Sequence, residues 1–220
     1  MAAVAGWLTL LALAALAVRR RWSGLEHPGQ REWSRKLVHI GTGAVVPIAW
    51  GVGIDRAIAL PAAAAITLLA ALNHRLRLLP AVEDVGRASY GTVAYGASIT
   101  LLLWLHWPQR PACVAAGVLV MAVGDGLAGL IGPLVPSFSW QVLGQRRSLA
   151  GTAAMCLASL GVLAALKLMS SPAPMAPDWP AVLLIAAAAT LLEQLALGGI
   201  DNLSVPIGVA WLWQRLGGGG

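Results

Sequence analysis

Four groups of residues in this chain carry side chains able to do chemistry. The first is Glu32, Arg35, Lys36 and His39. On a helix Arg35 and His39 are i,i+4 neighbours and Lys36 and His39 are i,i+3, so one face offers two cations and a titratable imidazole. The plainer reading is topology charge with lipid-phosphate contacts. The second is Gly124-Asp125-Gly126, continuing through Ala128, Gly129 and Gly132. Gly124, Ala128 and Gly132 form a small-residue stripe that suits close helix packing, but packing does not account for Asp125. A carboxylate between glycines offers a bare backbone and a hard oxygen ligand, suited to Mg²⁺ bridging phosphates; the alternative is a buried Asp paired with an arginine. The third is Gly144-Gln145-Arg146-Arg147-Ser148-Leu149-Ala150-Gly151-Thr152. Ser148 is a natural N-cap, a helix N-terminus binds phosphate, and two arginines add bidentate contacts; the alternative is a capped helix with snorkelling arginines. The fourth is Glu193 with Gly198-Gly199-Ile200-Asp201-Asn202 and Pro206. The glycines and the proline predict a broken helix, tolerated at membrane depth where it lines a polar cavity. Asp201 and Asn202 then complete a metal site or orient a hydroxyl, unless they simply form a turn. Together these groups are the equipment for handling a nucleoside triphosphate with Mg²⁺.

Something must bring the four groups together. Of the 220 residues, 58% are hydrophobic and 11% charged, with a mean hydropathy of +0.75. A soluble domain is about 45–50% apolar and about 25% charged, and a spanning helix needs roughly 20 apolar residues. The chain is therefore expected to be an all-α, polytopic transmembrane bundle. Apolar runs lie near 2–18, 37–53, 57–72, 90–107, 112–135, 150–169 and 181–198, with a short eighth near 203–214. Residues 1–216 are read as one integral membrane domain and 217–220 as a flexible Gly tail. The first run has no basic residue before it and Arg19, Arg20 and Arg21 after it, the opposite of a signal peptide. It also lacks transit-peptide character, which favours a bacterial origin.

Basic residues alternate by loop. The 19–36, 73–89 and 136–149 loops hold 11 of the 15 Lys and Arg residues. The positive-inside rule puts these loops in the cytoplasm. Asp125, Glu193, Asp201 and His39 then all fall in the cytoplasmic half of the membrane. The net charge of +6 is a topology signal that needs no nucleic-acid partner; membrane lipids are the expected contact. Tryptophans near run ends, including Trp22, Trp50, Trp107, Trp140 and Trp179, suit interfacial belts. Cys113 and Cys156 form no CxxC pair and read as small core hydrophobes. No GxxxxGK[ST] loop or protein-kinase motif is present.

The order Glu32-x-x-Arg35-Lys36-x-x-His39, Gly124-Asp125-x-x-Ala128-x-x-x-Gly132, Arg147-Ser148-x-x-Gly151-Thr152 and Asp201-Asn202-x-x-x-Pro206 resembles the polyprenol kinase family. The likeness spans about residues 31 to 210, and the stretch from Arg87 to Gly96, with Tyr90 and Tyr95, looks closest to its phytol kinase branch. Two departures stand out. Arg147 replaces the family's usual lysine, and Ala150 stands where the dolichol and diacylglycerol branches are expected to carry glutamate. The resemblance implies transfer of the γ-phosphoryl of CTP, or of ATP or UTP, to a lipid-soluble isoprenoid alcohol such as phytol, a step toward tocopherol. It implies Mg²⁺ on Asp125, with Asp201 or Glu193 as a second ligand or orienting the alcohol. Arg146, Arg147, Ser148, Gly151 and Thr152 would cradle the phosphates, and Arg35, Lys36 and His39 would neutralise the transferring group. Gly124, Gly126, Ala128, Gly132 and Asn202 would support them. A bacterial plasma or thylakoid membrane is the expected location, with the site facing the cytoplasm. The rival readings are a CTP:phosphatidate cytidylyltransferase-like enzyme and a small acid-coupled transporter.

Overall fold

The computed structural model describes residues 2–21, 29–76, 90–170 and 176–218. It is all-helical apart from one short hairpin. The helices are α1 (Ala2–Arg21), α2 (Gly29–Gly43), α3 (Val45–Gly51), α4 (Arg56–Leu76), α5 (Gly91–His106), α6 (Pro111–Leu119), α7 (Gly126–Leu134), α8 (Leu149–Met169), α9 (Trp179–Leu195) and α10 (Asp201–Leu216). Each apolar run in the sequence became a helix, with one split. The run at 37–53 breaks between α2 and α3, because Pro47 has no N–H to donate to the carbonyl of Gly43.

α6 and α7 are one continuous apolar rod, Pro111–Leu134, joined by a π-helical segment at Val120–Asp125. This rod is the centre of the bundle: it is far more buried than α4 or α8. Val114, Ala115, Ala116, Val118, Val120 and Met121 are sealed within it. A π turn inserts an extra residue and rotates the helix beyond it, and this one ends on Asp125. Among the described residues α4, the α6–α7 rod and α8 are long and apolar enough to cross a membrane, and Ala2–Val18 and α9 are shorter apolar helices.

The segment 136–149, expected as a loop, is an antiparallel hairpin of β1 (Ser139–Val142) and β2 (Gln145–Ser148). Leu143 and Gly144 turn it, with φ of 49° and 78°. Positive φ at both central residues matches the twist of paired strands. The tryptophan belt also needs correction. Trp107 is buried and donates its indole N–H to Ile54 O at 2.8 Å, and Trp213 is buried too. Both are core residues, whereas Trp179 is half exposed. Trp22 lies outside the described residues.

The two ends of the bundle differ. At one end Trp50, Arg110, Cys113, Ser170 and Trp213 line a cavity of about 300 Å³. The other end gathers the N-terminal half of α2, the start of α5, the end of the π segment, the hairpin and the α9–α10 connection. There Asn202 Nδ2 donates to Gly91 O at 3.2 Å.

Candidate active site

α2 and the central rod meet through charge. Lys36 is 5% exposed, and its ammonium donates to Asp125 Oδ2 at 2.9 Å and to Asp125 O at 3.1 Å. His39, one turn further, places Nε2 3.2 Å from the same Oδ2, without hydrogen-bond geometry. Both contacts fall on Oδ2. Tyr95 of α5 fixes this arrangement from behind: its hydroxyl donates to His39 O at 3.0 Å, and the two rings meet edge to face with centroids 4.8 Å apart. The sequence marked Tyr95 only by resemblance, and its role as the prop under His39 depends on a contact 56 residues away.

The glycines around Asp125 serve packing on two sides. A Cβ on Gly124 would strike Met155 of α8, and one on Gly132 would meet Ser148 Oγ at 3.1 Å. The stripe of Gly124, Ala128 and Gly132 therefore seats α8, as its four-residue spacing predicts. Gly126 and Gly129 face the other way. A Cβ on Gly126 would strike Ile40, and one on Gly129 would strike Lys36 Cε and lie 2.7 Å from its Nζ. Gly129→Ala is therefore expected to push Lys36 off Asp125 and lower turnover by about 10²-fold, the cost typical of an ångström-scale displacement at a reacting centre. Gly161→Ala on α8, where nothing lies within 4 Å, is the matched control. It should leave turnover unchanged and melting equal or slightly higher. Parallel turnover and thermal-melting measurements in detergent check both.

The hairpin delivers Arg147 and Ser148. Ser148 caps α8 as expected, its Oγ accepting from Gly151 N at 3.2 Å. The rest of that turn is also satisfied: Leu149 N donates to Phe138 O at 2.9 Å and Ala150 N to Ser137 Oγ at 3.1 Å. The first three N–H groups of α8 thus have protein partners, and this helix start offers a phosphate little bare backbone. Arg147 is turned inward, where its guanidinium pairs with Glu193 Oε1. Arg146 is exposed, with Nε 3.3 Å from Ser139 Oγ. Glu193 is 4% exposed and engaged at both oxygens, since Oε2 accepts from Gln194 Nε2 at 2.8 Å. Gln194 also donates to Thr152 Oγ1 at 3.0 Å. Gln194 was not singled out in the sequence, and its position beside a deep carboxylate was the available signal.

α9 and α10 are separated by a break, as the glycines predict, with Gly198 and Gly199 at φ of 60° and 90°. Pro206 does not break the chain; α10 runs through it, at the loss of the bond Asn202 O would otherwise accept. Asp201 opens α10. Its Oδ1 accepts from Asn202 N at 3.1 Å, and it forms no ion pair among the described residues. Asp125, Glu193 and Asp201 lie within electrostatic reach of one another, with Lys36 and Arg147 in the same field. Two of the three acids are thus held by cations, and Asp201 is not. Arg35 is exposed on α2; the Glu32 side chain and the stretch 77–89 lie outside the described residues.

Among the described residues, six buried side-chain polar atoms lack a hydrogen-bond partner, and four of them belong here: His39 Nε2, Arg147 Nε, Gln194 Oε1 and Asn202 Oδ1. Orphaned polar atoms are rare in folded interiors, and these four fall around the same three acids. No three His, Cys, Asp or Glu side chains among the described residues come together as a metal cage. That does not suit a cation held by protein alone. It does suit Mg²⁺, which is usually bound through one or two carboxylates plus substrate phosphates.

The chain is similar to two curated proteins. It is 40% identical over 194 residues to a phytol kinase of Synechocystis sp., covering 84% of this chain and 81% of that one. It is 28% identical over 200 residues to a probable chloroplastic phytol kinase 1 of Glycine max, covering 81% of this chain and 65% of that one. No family model matches, and no solved structure matches.

Proposed function

This chain belongs to the phytol kinase family, and we propose that it transfers the γ-phosphoryl group of a nucleoside triphosphate, CTP first among donors, to phytol or a similar isoprenoid alcohol. The observation that carries the reading is the pairing at one bundle end of a lysine-held carboxylate, Asp125, with one in no direct ion pair among the described residues, Asp201. Such an alcohol lies in the bilayer with its hydroxyl near the headgroups. A site at the end of an apolar bundle meets it there. We read the chain as a single integral membrane domain over 1–216 with seven or eight spans and the site facing the cytoplasm.

Phosphoryl transfer is mostly positioning and charge stabilisation. Asp125 would hold Mg²⁺ together with the nucleotide's phosphates; when bound, the ion draws charge from the γ-phosphoryl oxygens and the leaving group. Lys36 fixes the Asp125 carboxylate in place through Oδ2 and brings a positive charge to the same point. His39, Arg35 and Arg146 contact the phosphates. Asp201 accepts the hydrogen bond of the acceptor hydroxyl and then its proton. The alcohol oxygen forms the new bond to the γ-phosphorus, the bond from that phosphorus to the β,γ-bridging oxygen breaks, and the nucleoside diphosphate leaves.

The test is incubation of purified protein in detergent with Mg²⁺, phytol and γ-labelled CTP, and separately γ-labelled ATP. Labelled phytyl phosphate is the expected product, and the preferred donor is the one that labels it faster. Label in farnesol, geranylgeraniol or diacylglycerol but not phytol would change the acceptor. Pyrophosphate released from CTP and phosphatidate, with no labelled alcohol, would replace the reading with a cytidylyltransferase.

A further inference from the structure

Asp201 sits just past the α9–α10 break, so whatever fixes that break fixes Asp201. α9 ends at Leu195, Ala196 is extended with ψ of 141°, and the chain then turns through two glycines of positive φ. Leu197 and Ile200 are about half exposed. The far end of the connection is held by Asn202 on Gly91 O. The near end is held by Arg147. One guanidinium nitrogen, Nη1, meets the Glu193 carboxylate. The other, Nη2, donates to Glu193 O at 2.7 Å and to Ala196 O at 3.1 Å. Glu193 O also accepts from Ala196 N at 3.3 Å, and a cation at a helix C-terminus is favoured by the helix dipole. Arg147 thus caps α9 and clamps the first residue of the break in one planar group.

We propose that Arg147 and Glu193 act as a positioning clasp that sets the α9–α10 break and so aims Asp201, and that neither touches substrate. The functional half of this inference rests on the kinase reading above; the structural half does not. Three features support it. Three of the five N–H groups of Arg147 are engaged by Glu193 and Ala196, and Nε is buried, so the guanidinium is committed chiefly to the end of α9 and the residue after it. The residue is also anchored from behind: it pairs with Trp140 in the hairpin and directly precedes the N-cap Ser148, which ties the start of α8 to the end of α9. Gln194 adds a parallel tie, from Glu193 Oε2 to Thr152 Oγ1, whose own hydroxyl donates to Ser148 O. Finally, the choice of arginine has a reason here. A lysine keeps the charge but has no planar fork to span a carboxylate and two carbonyls at once.

The test uses the full chain in detergent with Arg147→Lys, Arg147→Met, Glu193→Gln and the Arg147→Met/Glu193→Gln double variant. Hydrogen exchange of amides 196–203 is measured without any nucleotide, and steady-state kinetics are measured with CTP and phytol. A clasp predicts exchange faster by about tenfold across the break in each single variant, the signature of local opening. It predicts a fall in kcat of about 10-fold or more with the nucleotide KM within about twofold, and a double variant no worse than the worse single one, as expected for residues acting as a unit. Arg146→Met, by contrast, raises the nucleotide KM. Arg147→Lys should fail to rescue. The inference is overturned if exchange is unchanged in all variants, or if Arg147→Met and Arg147→Lys raise the nucleotide KM while kcat and exchange hold. It is likewise overturned if Glu193→Gln lowers that KM by freeing the guanidinium. Should Arg147→Met not fold, Arg147→Lys and Glu193→Gln carry the test. Should no alcohol be phosphorylated by the parent protein, the kinase reading fails and the exchange result alone still decides the clasp.

Discussion

Asp125→Asn is expected to lower phosphoryl transfer by about 10³-fold, the scale of losing a preorganised electrostatic contact to the reacting phosphate. The substitution has a second, structural consequence that must be separated from the first. Lys36 is 5% exposed, and its charge rests on the Asp125 carboxylate and main-chain oxygen. Replacing the carboxylate by an amide leaves a buried ammonium with neutral acceptors only, and breaking a buried pair from one side costs about 3–5 kcal/mol. Lys36→Met alone strands the carboxylate instead, in a region that already carries Glu193 and Asp201. The double variant Lys36→Met/Asp125→Asn removes both charges and should recover most of the lost melting temperature. It should recover none of the activity, because the phosphate end of the site has lost its carboxylate and its ammonium together. Melting and turnover measured on the three variants therefore move apart. A double variant that regained activity along with stability would reduce Asp125 to a structural ion pair, and Asp125→Asn with more than about a tenth of parent turnover would do the same.

Much of this architecture could be read along the chain because hydropathy reports depth. Every apolar run became a helix, and His39, Asp125, Glu193 and Asp201, which the basic loops set in one half of the membrane, lie near one another in the structure. Local rules also held: Ser148 caps α8, and Gly198 and Gly199 break the chain. The features that could not be read depend on partners far apart in sequence. Arg147 and Glu193 are 46 residues apart and Lys36 and Asp125 are 89 apart, so nothing local says which cation meets which acid. Depth placed all three acids together but could not rank them. The π segment was hidden because its residues, Val120 to Asp125, suit an ordinary α-helix equally well. The hairpin was hidden because its turn takes Leu143 through positive φ, where Asn, Asp or Gly is the usual signal. Gly129 showed the same limit in another form. It stood in a run of small residues that suggested one packing stripe, and only the position of Lys36 reveals a second face with a different use.

Asp201→Asn is expected to lower kcat by about 10²- to 10⁴-fold, the range for removing a general base. The nucleotide KM and the Mg²⁺ requirement should both stay close to the parent's. Elimination among the three acids leads to Asp201. Asp125 is held by Lys36 and His39 lies beside it, and Glu193 is engaged at both oxygens. Asp201 is partly exposed, and its only hydrogen-bond donor among the described residues is the neighbouring Asn202 N–H. A carboxylate outside any direct ion pair is open to a hydroxyl's hydrogen bond, and one in the first turn of α10 is fixed by the helix rather than by a flexible loop. The competing role, second ligand to Mg²⁺, makes a different prediction. Loss of a ligand weakens metal binding, so Asp201→Asn would then need several-fold more Mg²⁺ for half-maximal rate and would recover much of its kcat at saturating metal. Titrating Mg²⁺ at fixed CTP and phytol for parent and variant decides between them. A kcat deficit that persists at saturating Mg²⁺ assigns the proton to Asp201; a deficit that Mg²⁺ removes moves Asp201 to the metal and leaves the acceptor hydroxyl to be oriented by another group. Asp201→Glu sharpens the comparison, because it restores the carboxylate one methylene out of place. A base that must meet one hydroxyl tolerates that shift poorly, whereas a metal held with the flexible phosphates of a nucleotide tolerates it better.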